Sequence, residues 1–179
     1  MAAGARVGAH PEGAGGLVKL LVAASLVWPL ILAAAVWDQA ATGGSIWSQA
    51  IYFACSRICH QRPERSFHTT GIKWPVCGRC SGLYLSAPAG ALAAMVALRR
   101  RRRPSPTESV NHRTRDDSLR WLILASLPTV VTVALEWSGA PMTTLARALA
   151  ALPLGAAIAF VIVRVAAGHP KAIEYTGAR

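Results

Sequence analysis

Acidic side chains are scarce in this sequence. Its 179 residues include eight Asp and Glu against nineteen Lys and Arg, a formal net charge of +11. Aromatic residues are also few, at 7%, and they do not interleave with the basic ones. Proteins that bind nucleic acid through such charge pair it with aromatic stacking platforms, so nucleic acid is not the expected partner. The long apolar runs lack the charged face of soluble amphipathic helices. They also lack the clustered polar residues of an ion path, which argues against transport by a single chain. Cysteine is limited to four positions, and three of these fall in one stretch, Cys59–Tyr84.

What is present is apolar. Hydrophobic residues make up 53% of the chain and mean hydropathy is positive. Four apolar runs, at about 17–37, 82–98, 118–137 and 143–163, are each read as a membrane span. The first is long for a signal-peptide core and three more follow it, so it is read as a span too. The expected fold is an all-α membrane protein, with a four-helix membrane domain at 17–164. A disordered N-terminal tail at 1–16 and a C-terminal tail at 165–179 flank it. Pro29, Pro88, Pro128 and Pro153 lie one to a span, which suits kinked helices packed through small Ala, Gly and Ser side chains.

Between the first two spans lies a loop at 45–81. Its first part, 45–59, carries Trp47, Ala50, Ile51, Ala54 and Ile58 at helical spacing, as an interfacial helix would. Ser48, Tyr52, Cys55 and Cys59 fall on a different face. A basic connector at 99–117 separates spans two and three. The run Arg99–Arg103, with Arg113, Arg115 and Arg120, places it in the cytoplasm, with both termini on the same side. The chain is thus expected in the cell membrane, in contact with the lipid bilayer, with its Cys/His loop extracytoplasmic. Arg57, Arg62, Arg65, Lys73 and Arg79 oppose that orientation and need another use, such as binding an anionic group or an acidic partner.

The chemistry is expected in the loop. Cys77-Gly78-Arg79-Cys80 is a C-x-x-C pair, which lets two sulfurs reach one tetrahedral metal ion or close a reactive disulfide. Cys59 or Cys55, with His60, would complete a Cys₃His or Cys₄ set suited to zinc, or alternatively iron. His68 is a substitute ligand if His60 faces away. The same Cys77 and Cys80 could instead be the catalytic pair of a membrane thiol–disulfide oxidoreductase working with a quinone. Disulfides that merely staple the loop use the same four residues. Glu136 and Arg147 sit at the outer ends of adjoining spans, where ionisable groups are costly unless paired or functional. A Glu136–Arg147 pair, or one between Glu136 and one of the loop arginines, is expected there; Arg65 and Arg79 are further functional candidates in their own right.

Cys59-His60-Gln61, Pro63, Arg65-Ser66-Phe67, Gly71, Pro75-Val76-Cys77, Arg79-Cys80, Gly82 and Tyr84 closely resemble the signature of a family of small bacterial and archaeal membrane proteins. That family is known by its C-H-Q … R-S-F … P-V-C-x-R-C-x-G-x-Y motif and not by an activity. Weaker echoes follow in the last two spans, where the family tends to have an Asp and a Gln four apart, a Gly, and Ser/Thr-Asn before an Arg. Here those places hold Thr132, Glu136, Gly139, Thr143-Thr144 and Arg147. Cys55 is outside the signature, so the resemblance implies Cys59, His60, Cys77 and Cys80 as the ligand set. The expected function is a non-enzymatic metal-binding module, in the service of a larger membrane complex.

Overall fold

In a computed structural model of the chain, the structure describes residues 12–101 and 113–168. Most of the expected N-terminal and C-terminal tails, and the middle of the basic connector, lie outside the described residues. Among the described residues, the fold comprises five α-helices, a 3₁₀ turn at Pro63–Arg65 and one hairpin: α1 (Glu12–Thr42), α2 (Ile46–Ser56), β1 (Ser66–Thr69), β2 (Ile72–Cys77), α3 (Gly78–Arg101), α4 (Arg113–Trp137) and α5 (Thr144–Gly168). Four helices among the described residues are long and apolar enough to cross a membrane, over Gly15–Thr42, Gly78–Arg100, Leu119–Trp137 and Thr144–Ala167. The helix containing the first span begins at Glu12, inside the stretch expected to be disordered. Each span carries its proline inside the helix.

Helices α3 and α5 pack most closely, and small residues are the reason. A Cβ on Gly82 would overlap the carbonyl of Ala148, and one on Gly90 would overlap the carbonyl of Ala156. Without a hydrophobic driving force between helices in lipid, this backbone approach supplies the van der Waals contact that holds them together. Helix α1 lies against both, and two buried clusters fill the seams. Val22, Ala91, Ala94 and Val163 form one. Leu32, Cys55, Cys59 and Val76 form the other, at the hairpin end. Helix α4 packs on α5 and buries none of its most apolar window.

Helix α2 matches the expected interfacial helix at 45–59 but stops at Ser56. Its buried side chains are Ser48 and Cys55, whereas Ile46, Trp47 and Phe53 are exposed, as is Ile58 just beyond its end. An apolar face turned away from the protein is what a helix lying on a membrane surface presents.

The hairpin was not expected from the sequence. Thr70 and Gly71 both have positive φ, 52° and 80°. Such a two-residue turn matches the twist of antiparallel strands. Thr69 pairs with Ile72, His68 with Lys73 and Ser66 with Cys77, so the register shifts between Ser66 and His68. Pro75 falls in the shifted part, where its missing N–H breaks no regular ladder. The hairpin feeds straight into α3, so the helix that carries the second span begins at Gly78. Cys77 therefore ends a strand, and Cys80 sits in the first turn of a membrane helix.

The glycine contact can be tested directly. Gly90→Ala should destabilise the protein by about 1–3 kcal/mol, as overpacking does in a closed interface. Ala93→Leu, three residues on and exposed, should stay within about 0.5 kcal/mol. Thermal unfolding in detergent, followed by circular dichroism, measures both.

Candidate metal centre

Cys59 reaches the C-x-x-C pair because α2 ends early. After Ser56 the chain turns, with the N–H groups of Ile58 and Cys59 donating to the carbonyl of Cys55 at 3.2 and 2.9 Å. Gln61 then adopts a positive φ of 46°, and its side chain donates to the Tyr52 carbonyl at 2.8 Å. Its own carbonyl accepts from Lys73 Nζ at 2.9 Å, and the Tyr52 hydroxyl donates to the Lys73 carbonyl at 2.5 Å. These bonds tie α2 and the following loop to β2. They bring Cys59 Sγ to 3.2 Å from the backbone N–H of Cys77, which donates to it.

The result is three sulfurs, of Cys59, Cys77 and Cys80, all within 4.8 Å of one another. Three thiolates on one tetrahedral zinc at about 2.3 Å would stand about 3.8 Å apart, so the set fits a single thiophilic ion. None of the four cysteines is in a disulfide. Cys59 is buried, and Cys77 and Cys80 are half-buried. The Cys77 thiol is held down to about 5, first because the Cys80 thiol donates to its sulfur, and further by the N–H groups of Cys80 and Arg79. A thiolate at a helix N-terminus is a competent metal ligand or nucleophile. The Cys55 thiol is pushed up by burial and by the neighbouring Cys59, so it stays protonated.

The expected histidines stand apart from the sulfurs. His60 follows Cys59 directly but is exposed and lies outside the three-sulfur set. His68 is exposed on β1 and pairs in register with Lys73. Cys55 is buried in the apolar cluster and is likewise not in the set. A tetrahedral ion on Cys59, Cys77 and Cys80 would keep one position open to water, to His60 or to another group.

A second constellation lies at the same end of the molecule. Glu136 is in the last turn of α4 and Arg147 in the first turn of α5. The connecting turn is closed by Gly139, at a positive φ of 85°, whose N–H donates to the Glu136 carbonyl at 3.1 Å. The N–H of Ala140 donates to the Leu135 carbonyl at 3.0 Å, and the Thr143 hydroxyl accepts from the N–H of Ala146 at 3.1 Å. These bonds satisfy orphan groups at both helix ends. Arg147 Nε donates to Glu136 Oε1. The other carboxylate oxygen lies 3.1 Å from Arg79 Nη2 and 3.6 Å from Arg65 Nη1. The sequence suggested a pair with Arg147 or with a loop arginine, and the structure has both. Their joint convergence was missed. The signal for it was the excess of arginine over carboxylate in and beside the loop. Of the second motif, Thr132 only bonds back to the Thr129 carbonyl at 2.9 Å, and the Thr144 carbonyl lies against Gly78.

Because the folded thiol of Cys77 ionises near pH 5, it is already a thiolate across neutral pH, and protonation restores the thiol only in acid. In metal-free protein, its alkylation by iodoacetamide should change little between about pH 6 and about pH 8. An ordinary thiol gains about tenfold per pH unit over that range. Peptide mass spectrometry after timed labelling reads the rate at each cysteine.

Comparison with known proteins agrees with the signature. Over 30 residues, 17% of this chain, it is 57% identical to an uncharacterised protein of Methanothermobacter thermautotrophicus, covering 27% of that protein. It is 45% identical over 49 residues, 27% of this chain, to the uncharacterised protein MJ1492 of Methanocaldococcus jannaschii, covering 29% of it. The chain thus matches less than a third of the length of these curated relatives. No solved structure gives a significant match. A family profile described as predicted membrane protein (DUF2085) matches residues 59–161, from the first cysteine of the signature into α5, and the chain belongs to that family.

Proposed function

We propose that this membrane protein holds one thiophilic metal ion, zinc or iron, on Cys59, Cys77 and Cys80. The observation that carries this reading is the approach of the three sulfurs to within 4.8 Å of one another. The Cys77 N–H on Cys59 Sγ adds a donor of the kind that steadies a metal-bound thiolate. His60 completes the set by turning inward from its exposed place, or a water completes it instead. The ion locks α2, β2 and α3 together at one end of the bundle. That suits a structural or accessory module of a larger membrane complex. The run Arg99–Arg103 supports a cytoplasmic end for α3, which puts the metal site on the extracytoplasmic side of the cell membrane.

A second reading uses the same atoms. A Cys77 thiolate beside the Cys80 thiol, at the start of a helix, is also the arrangement of an exchanging pair. Oxidation of that thiolate and thiol to a disulfide would pass two electrons and one proton to a quinone in the bilayer, which would take its second proton from water.

Protein purified without chelator should carry about one zinc or iron per chain by elemental analysis, and Cys77→Ser should lose it. His60→Ala should weaken metal retention against a chelator if His60 is the fourth ligand, and leave it unchanged if water is. Metal-free wild type whose Cys77 and Cys80 are trapped as a disulfide in the membrane would replace the metal reading with the redox one.

A further inference from the structure

The positive charge at the hairpin end exceeds what its carboxylates can neutralise. Arg65, Arg79 and Arg147 converge on Glu136, three guanidinium groups on one carboxylate. Side-chain exposures are 20% and 10% for Arg79 and Arg147 and 9% for Glu136, whereas Arg65, at 40%, reaches water. Two withdrawn guanidinium groups on one carboxylate leave a charge that is costly unless a further anion joins it. Oε1 of Glu136 is engaged by Arg147, and Oε2 is shared by Arg79 and Arg65. Arg79 Nη2 is 3.1 Å from Oε2, yet neither it nor the equally buried Nε makes an aligned hydrogen bond. Arg79 thus keeps donors that the carboxylate does not satisfy.

We propose that Arg65, Arg79 and Arg147 form a binding site for a phosphate group, with Glu136 as the hinge that gathers them. Planar guanidinium forks pair two N–H groups with two oxygens of a phosphate, which a lone carboxylate with two oxygens cannot offer to three forks at once. The level of the site in the membrane fits the same ligand. Glu136 and Arg147 cap their spans at the hairpin end, and Trp137 beside Glu136 is 87% exposed, as an aromatic at the headgroup level would be. The phosphate is either that of an anionic lipid headgroup or a free one from solution. This proposal does not rest on the metal reading, since no member of the arginine set belongs to the three-sulfur group.

The test uses the full chain in phosphatidylcholine nanodiscs at fixed ionic strength, with thermal unfolding as the readout. In one arm inorganic phosphate replaces chloride; in the other, phosphatidylglycerol replaces part of the phosphatidylcholine. A saturable rise of the midpoint with phosphate assigns the site to a free anion, and a rise with phosphatidylglycerol alone assigns it to a lipid. No response in either arm overturns the proposal. Arg65→Gln, at the most exposed position of the set, should weaken the apparent affinity about tenfold, the worth of one charge-assisted hydrogen bond. Its metal content should equal that of wild type, which separates failure here from failure of the metal site. Glu136→Gln should tighten phosphate binding about tenfold by removing the competing carboxylate. If Glu136→Gln lowers the midpoint and binds phosphate no better than wild type, the arginines serve only to neutralise the carboxylate.

Discussion

The approach of α3 to α5 is the constraint on which the rest depends. Glycines at positions 82 and 90 let the two backbones touch, and no side chain could be fitted between them. Because α3 begins at Gly78, directly after β2, this contact fixes where the hairpin stands over the bundle. It also sets the first turn of α3 against the first turn of α5, with the carbonyl of Thr144 facing Gly78. Arg79 is thereby carried toward Arg147 and Glu136, while Cys77 and Cys80 meet Cys59 on the side toward α2. One backbone contact thus serves two polar centres, and the centres share no side chain.

The two centres solve the same difficulty in different ways. Polar groups near the end of a membrane span must be satisfied inside the protein or by what binds to it. At the sulfurs, backbone N–H groups supply part of the satisfaction, and a cation supplies the rest under the proposed reading. At Glu136 the arginines more than satisfy the carboxylate, and the surplus runs the other way. A thiolate group that draws cations thus stands at the same end as a guanidinium group that draws anions. Of the basic loop residues, Arg65 and Arg79 are engaged at Glu136, so their sign need not decide which side of the membrane the hairpin occupies.

Much of this was legible in the sequence. The four spans came from run length and hydropathy alone, because apolar runs free of charge have few other interpretations. The helix within 45–59 followed from its period, and its stop at Ser56 agrees with the need for Cys59 and His60 to leave the helix. Spacing left Cys55 and Cys59 both open as partners of the C-x-x-C pair, and the resemblance to the signature favoured Cys59; neither excluded His60, since adjacency says nothing of which side a residue faces once the helix has ended. The hairpin was illegible for a physical reason. Its strands are short, most of its paired residues are polar, and a proline interrupts the longer one, so the period-two pattern never emerges. Thr70-Gly71 was the sole local sign. Each of Arg65, Arg79, Glu136 and Arg147 could be singled out as costly or out of place. Their meeting required the packing of α3 on α5, which no local pattern encodes.

Helix α4 touches the protein along one stripe and shows the rest of its apolar surface outward. For such a helix the surrounding lipid takes the place of a core, and lipid imposes length and hydropathy but no shape. Leu, Ile and Val can exchange freely over most of α4, whereas α5, read by α3 on one side and by α4 on another, has a shape to keep. Substitutions that preserve hydropathy should therefore accumulate unevenly within one bundle. A sequence comparison that weighs all four spans alike would take the drift of α4 for distance between proteins that share the same centre.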